Sequence, residues 1–171
     1  MNRKPLSRIA VAASLALCLL QANAAPPEEA TYNIRALVPD AALKAAQAAL
    51  KKCRDSGYQV AVAVVDRSGL AQVMLRDRYA GPHTPETAIG KAWTAVSFRA
   101  STTTMAAETQ AGKTASGIRH LPNVVMVGGG VLIEGGGAII GGIGVSGAPG
   151  GDLDEMCAKA GIDAIKDALE F

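Results

Sequence analysis

Val62-Ala63-Val64-Val65-Asp66-Arg67-Ser68-Gly69-Leu70-Ala71-Gln72-Val73-Met74-Leu75-Arg76 holds two valine-bearing runs parted by a polar tetrapeptide. The first run, which starts at Tyr58, is almost wholly apolar, as a strand covered on both faces must be. Asp66-Arg67-Ser68-Gly69 has turn chemistry, with side chains that bond nearby backbone and a glycine for a left-handed position. The stretch therefore predicts a β-hairpin. A hairpin of this kind implies an antiparallel sheet.

Working outward, residues 39–56 read as a helix. Pro39 suits a first turn, Leu43, Ala46, Leu50 and Cys53 recur at helical spacing, and Gly57 is a natural stop. Beyond the hairpin, residues 77–83 form an irregular loop. Thr84-Pro85-Glu86 then opens a helix with an N-cap, a proline at N1 and an acid in the first turn. The apolar side of that helix is Ile89, Ala92, Trp93 and Val96. Residues 101–112 read as a shorter helix.

Residues 123–127, 131–134 and 138–145 read as three short strands, punctuated by Gly128-Gly129-Gly130 and Gly135-Gly136-Gly137. A last helix spans residues 152–169, with Asp152 and Glu155 as a capping box. The expected order is α-β-β-α-α-β-β-β-α. That is an α/β (α+β) domain, an antiparallel sheet of about five strands with helices packed on it, and not a doubly wound parallel one.

The N-terminus reads as a secretory signal peptide over residues 1–24. Arg3, Lys4 and Arg8 make a basic n-region, residues 9–20 are too short an apolar run to span a bilayer, and Ala22-Asn23-Ala24 supplies the cleavage pattern. Cys18 follows Leu17, where a lipobox needs a small residue, so ordinary export to the periplasm or medium is the expectation. Residues 25–37 form a loose leader and 38–171 a single domain. Removing three of the 17 basic residues leaves 14 against 15 acidic ones. The basicity thus belongs to the signal, and nothing in the charge points to nucleic acid. Tyr32, Tyr58, Tyr79, Trp93, Phe98 and Phe171 are the aromatic residues, so the core must be small aliphatics packed closely. Cys53 and Cys157 fit one disulfide in an oxidising compartment and also fit two buried thiols on apolar helix faces.

Most motif matches fail on context. Gly142-Ile143-Gly144-Val145-Ser146-Gly147 has the letters of a dinucleotide fingerprint, but the residues that follow leave no room for the second strand and its acid. Asp152, Asp154 and Glu155 crowd the start of the last helix and argue against phosphate there. Ser146 lacks the final glycine of a nucleophile elbow, and zinc and covalent-haem signatures are absent. Arg76-Asp77-Arg78-Tyr79-Ala80-Gly81-Pro82-His83-Thr84 remains: two arginines, a tyrosine and one of two histidines in a loop before a helix, the kind of segment that carries function. His120, flanked by Arg119 and Leu121, reads as structural or as surface.

Residues 62–69, Lys91-Ala92-Trp93-Thr94-Ala95 with Phe98, Gly128-Gly129-Gly130-Val131-Leu132-Ile133, and residues 141–148 together resemble the haem-binding, haem-degrading-like family. Extracellular haem-binding proteins, the glycolate-operon accessory protein and the C-terminal domain of some corrinoid adenosyltransferases belong to it. The resemblance covers residues 38–169. It implies a profilin-like fold, homo-oligomers, and haem or a related tetrapyrrole as ligand. For such a ligand the residues of this sequence offer Tyr79 or His83 as the iron donor, with His83 as the metal ligand. Arg76, Arg78, Lys91 and Arg99 serve the propionates, and Thr102 opens a reserve ligand region. The expected role is an exported carrier, store or sensor partner, with any haem degradation incidental. A small-acid accessory protein and an enzyme on another small molecule are the rival readings.

Overall fold

Each strand of the sheet is antiparallel to its neighbours, and the order is β2-β1-β4-β3. The structure is a computed structural model and describes residues 30–170. The expected signal peptide and the first part of the leader lie outside the described residues. The elements are α1 (Pro39–Asp55), β1 (Ala61–Asp66), β2 (Ala71–Arg76), α2 (Thr84–Phe98), α3 (Thr102–Glu108), β3 (Gly130–Gly135), β4 (Ala138–Ser146) and α4 (Gly151–Asp163). Short 3-10 turns cover Ser116–His120 and Lys166–Ala168.

The hairpin forms as its sequence demands. Asp66 Oδ1 accepts from the Ser68 and Leu70 backbone N–H groups at 2.8 and 3.0 Å, and Gly69 takes φ +83°. β1 is central and buried along almost its whole length, because helices cover both faces of the sheet. Val62, Val64, Ile133, Ile143 and Val145 point to the side of α1 and α4. Ala61, Ala63 and Val65 point to α2, against Ala88, Ala92 and Val96. Gly144 lies where α2 crosses β4, and a Cβ there would collide with the Ala88 carbonyl. The glycine-rich strand is what lets the helix approach.

Several expectations change. Among the described residues there are four strands, because residues 123–127 do not pair with the sheet. Asn123 turns to φ +66° and the Val125 N–H donates to Thr94 Oγ1 at 2.9 Å, so this segment lies along α2. Leu43 is exposed, and the buried stripe of α1 is Ala42, Ala45, Ala46, Ala49, Leu50 and Cys53. Leu37 is buried in the core, and its carbonyl accepts from Gln72. The residue before α2 is His83 rather than Thr84, with no side-chain cap. The Asp152–Glu155 capping box is absent: the residue before α4 is Gly150, and no side chain caps that end. Cys53 and Cys157 are joined in a disulfide between α1 and α4, 104 residues apart. No described helix is long and apolar enough to cross a membrane.

Candidate functional site

Asp77 aims the loop before α2. Its buried carboxylate accepts from Arg54 Nε at 2.6 Å and from the Val60 N–H at 3.2 Å. The Asp77 N–H in turn donates to the Val60 carbonyl. This two-way bond ties the loop to the start of β1 and leaves the residues after it to project outward. Sequence reading passed over Asp77. The signal was a lone acid between two arginines, which looks like solvated surface.

A cleft of about 560 Å³ opens where this loop faces the segment between β4 and α4. Tyr79, His83 and Thr87 line one side, and residues 146–151 line the other. Tyr79 is 77% exposed and His83 is also exposed, so both rings stand at the rim. Lys91 and Asp154 lie at the base. Two other grooves are larger, one beside Lys52 and Lys159 and one beside Glu134 and Lys166, but neither is lined by tyrosine or histidine.

The base is a buried ion pair. Lys91 Nζ lies 2.7 Å from Asp154 Oδ2 and donates to the Val145 carbonyl at 2.9 Å. Asp154 Oδ1 accepts from the Ala148 N–H at 2.9 Å. The pair thus holds the far wall of the cleft from beneath. Burial pushes the Asp154 carboxyl above its ordinary value, against the opposing pull of Lys91. Burial also acts upward on Glu155, but hydrogen bonds from Lys159 and Thr103 win and hold it below the usual range.

Of the other expected site residues, Arg76 donates through Nη2 to the Ala80 carbonyl at 2.5 Å. The Arg78 guanidinium sits 6.0 Å from the centroid of the Tyr79 ring. Both are exposed beside the cleft and outside its wall. Lys91, expected to serve a propionate, is 1% exposed and its charge is already paired with Asp154. Arg99 sits at the opposite end of α2 with φ +54°, about 20 Å of helix away from His83, so it cannot join this cleft. Thr102 is corrected too. It is fully buried, and its hydroxyl accepts from the Gly130 N–H at 2.8 Å, so it ties α3 to β3. His120 is exposed and does not line the cleft.

Similar proteins carry the same architecture. A Streptomyces reticuli HbpS double mutant superposes with a TM-score of 0.75 at 40% identity, over 83% of this chain and 98% of that one. PduOC in complex with heme matches with a TM-score of 0.73 at 32% identity, over 77% and 96%. Klebsiella pneumoniae protein ORFY matches with a TM-score of 0.78 at 25% identity, over 81% and 96%. No curated protein matches the chain significantly. The model of the HbpS-like haem degrading proteins matches residues 37–163, and with them the hairpin, the α2 motif, both glycine-rich strands and the Lys91–Asp154 pair. The chain belongs to the HbpS-like haem degrading protein family.

Proposed function

We propose that this chain is an exported haem-binding protein, a carrier, store or sensor partner rather than a dedicated catalyst, and that it assembles as a homo-oligomer. The observation that carries the reading is the convergence of Tyr79 and His83 on one cleft. Phenolate and imidazole are both established donors to haem iron. The cleft volume lies in the range of small-molecule sites, and Tyr58, Val127, Ala148 and Pro149 supply apolar surface along it. Family membership and the haem complex of PduOC support the same ligand. Bound haem would bring redox-active iron, while the residues of this chain bind and orient it. His83 is the first candidate for the iron donor and Tyr79 the second. Because both stand at an open rim, peroxide has access to the site, and slow bleaching of haem is no sign of dedicated catalysis.

Titration of haem into the mature protein, followed in the Soret region, tests the reading. A saturable, shifted band is expected. Its position changes and its affinity falls at least tenfold in His83→Ala or in Tyr79→Phe, whichever residue is the donor. A flat response of the folded wild type removes haem as the ligand. A normal response in both variants removes this cleft.

A further inference from the structure

We propose that the Cys53–Cys157 bridge is the positioning device of the cleft, and that the chain reaches full ligand affinity only once this bridge has formed. The proposal deepens the haem reading and rests on it for its ligand. The last pair of the β1–β4 ladder joins Ala61 to Ser146. Residues 57–59 and 146–151 line the cleft beyond that pair, and they run to α1 and α4 respectively. Their spacing therefore follows the spacing of those two helices. Gly147 packs against the Gln59 carbonyl and Val60, so a change in that spacing is felt at the cleft itself.

Each wall is tied within a few residues of a bridged cysteine. On α1, the Cys53 carbonyl accepts from the Tyr58 N–H at 2.9 Å, and Tyr58 lines the cleft. Arg54, the next residue, holds Asp77 through Nε and Nη2, and Asp77 aims the loop that carries Tyr79 and His83. On α4, Asp154 and Cys157 share the buried stripe of the helix. Asp154 Oδ1 accepts from the Ala148 N–H of the opposite wall. Along the seam between the helices, Gly161 meets the Ala45 carbonyl and the Ala49 side chain, while Cys157 meets Cys53. The helices thus run antiparallel, with the bridge at the end where Arg54 and Asp154 stand. Both cysteines are fully buried, so the bridge, once made, is shielded from thiols in solution. Its formation moves two electrons and two protons from the cysteine thiols to an external disulfide, which becomes a dithiol. An oxidising compartment supplies that acceptor, and on the export reading full affinity is thereby confined to the exported chain.

The experiment titrates haem into mature wild type, Cys53→Ala/Cys157→Ala, Leu50→Ala and Arg54→Met, at a temperature where circular dichroism shows each of them folded. Leu50 belongs to the same core, and its truncation lowers stability with the bridge intact. Loss of the bridge is expected to shift the Soret band and weaken binding about tenfold, as when a competent cleft is populated about a tenth of the time. Leu50→Ala binds as wild type does. Arg54→Met, which cuts only the link to Asp77, weakens binding in the same direction. In the ligand-free proteins the amide resonances of Ala80 and Ala148 shift when the bridge is absent, although neither residue adjoins a cysteine. Equal haem binding with and without the bridge, or equal weakening by Leu50→Ala, overturns the proposal and leaves the haem reading standing. Shifted amides with no haem binding by wild type sink the haem reading and keep the positioning role. Unmoved amides and no haem binding overturn both. If the chain without the bridge does not fold, Arg54→Met decides: unchanged affinity and an unmoved Ala80 amide overturn the proposal.

Discussion

Lys91 illustrates how one residue can serve a fold and a site together. Its ammonium is removed from water, and only Asp154 and the Val145 carbonyl compensate it. Truncation to Lys91→Met leaves a buried carboxylate alone, and the expected loss is about 3–5 kcal/mol in chemical denaturation. The double variant Lys91→Met/Asp154→Leu, apolar at both positions, recovers most of that loss; if it is no more stable than the single variant, the pair is not the cause. The raised Asp154 carboxyl also has a signature in pH. Its folded value lies above its ordinary 3.8, so the folded state binds the proton more tightly than the unfolded chain does. Its contribution to stability is full below pH 3.8 and is lost as pH rises through the folded value. Glu155, held low, works in the opposite sense: its contribution is present above the ordinary value and is lost as pH falls through the folded one. Unfolding temperature measured against pH for wild type and Asp154→Asn isolates the first effect. A difference between the two proteins that is constant across the acid range contradicts it.

At the scale of elements, the disulfide and the glycine-rich strand decide how the layers meet. Cys53 and Cys157 close a loop of about a hundred residues between α1 and α4. A cross-link of that span restricts the unfolded chain, and Cys53→Ala/Cys157→Ala is expected to cost about 2–5 kcal/mol. Titration of the denatured mature protein without reductant should find no free thiol, and two titratable thiols would disprove the bond. Gly144→Ala tests the contact of α2 with β4. The added methyl meets the Ala88 carbonyl, so the helix must shift outward, and a loss of about 1–3 kcal/mol is expected, the usual cost of overpacking. A neutral result in thermal melts would show that the layers give way freely. α2 also explains why the expected arginine set divides. Arg76 and Arg78 stand near the start of the helix, whereas Arg99 is at its other end.

On the scale of the whole molecule, the sheet ends in two edge strands, β2 and β3. Leu70, at the tip of the β1–β2 turn, is 68% exposed and Met74 on β2 is 44% exposed. Unpaired edges and exposed apolar side chains are surfaces that proteins cover or protect, which fits the proposed assembly. Light scattering on the mature protein at micromolar concentration should give a mass at least twice that of one chain. A monomer mass removes the assembly from the proposal while leaving the cleft intact, since all of its described walls come from one chain.

The hairpin, the order of the helices and the family were legible in the sequence, because each rests on local chemistry. Asp66 bonds its own turn, valine runs make a central strand, and Pro85 suits the first turn of a helix. The loop from Asp77 to His83 was legible as a polar segment ahead of a helix, and the structure places its Tyr79 and His83 on the lining of one cleft. What sequence reading could not supply was pairing between residues far apart in the chain. Lys91 and Asp154 are 63 positions apart, Thr102 and Gly130 are 28 apart, and Cys53 and Cys157 are 104 apart. Residues 123–127 have the composition of a strand, yet Asn123 turns to φ +66° and the Val125 N–H bonds the Thr94 hydroxyl, so the segment lies along α2 and outside the sheet. Local propensity determined most of the elements that form. The tertiary structure decided which polar groups are consumed in the interior and which are left facing the cleft, because burial and partnership depend on contacts that no short stretch of sequence contains.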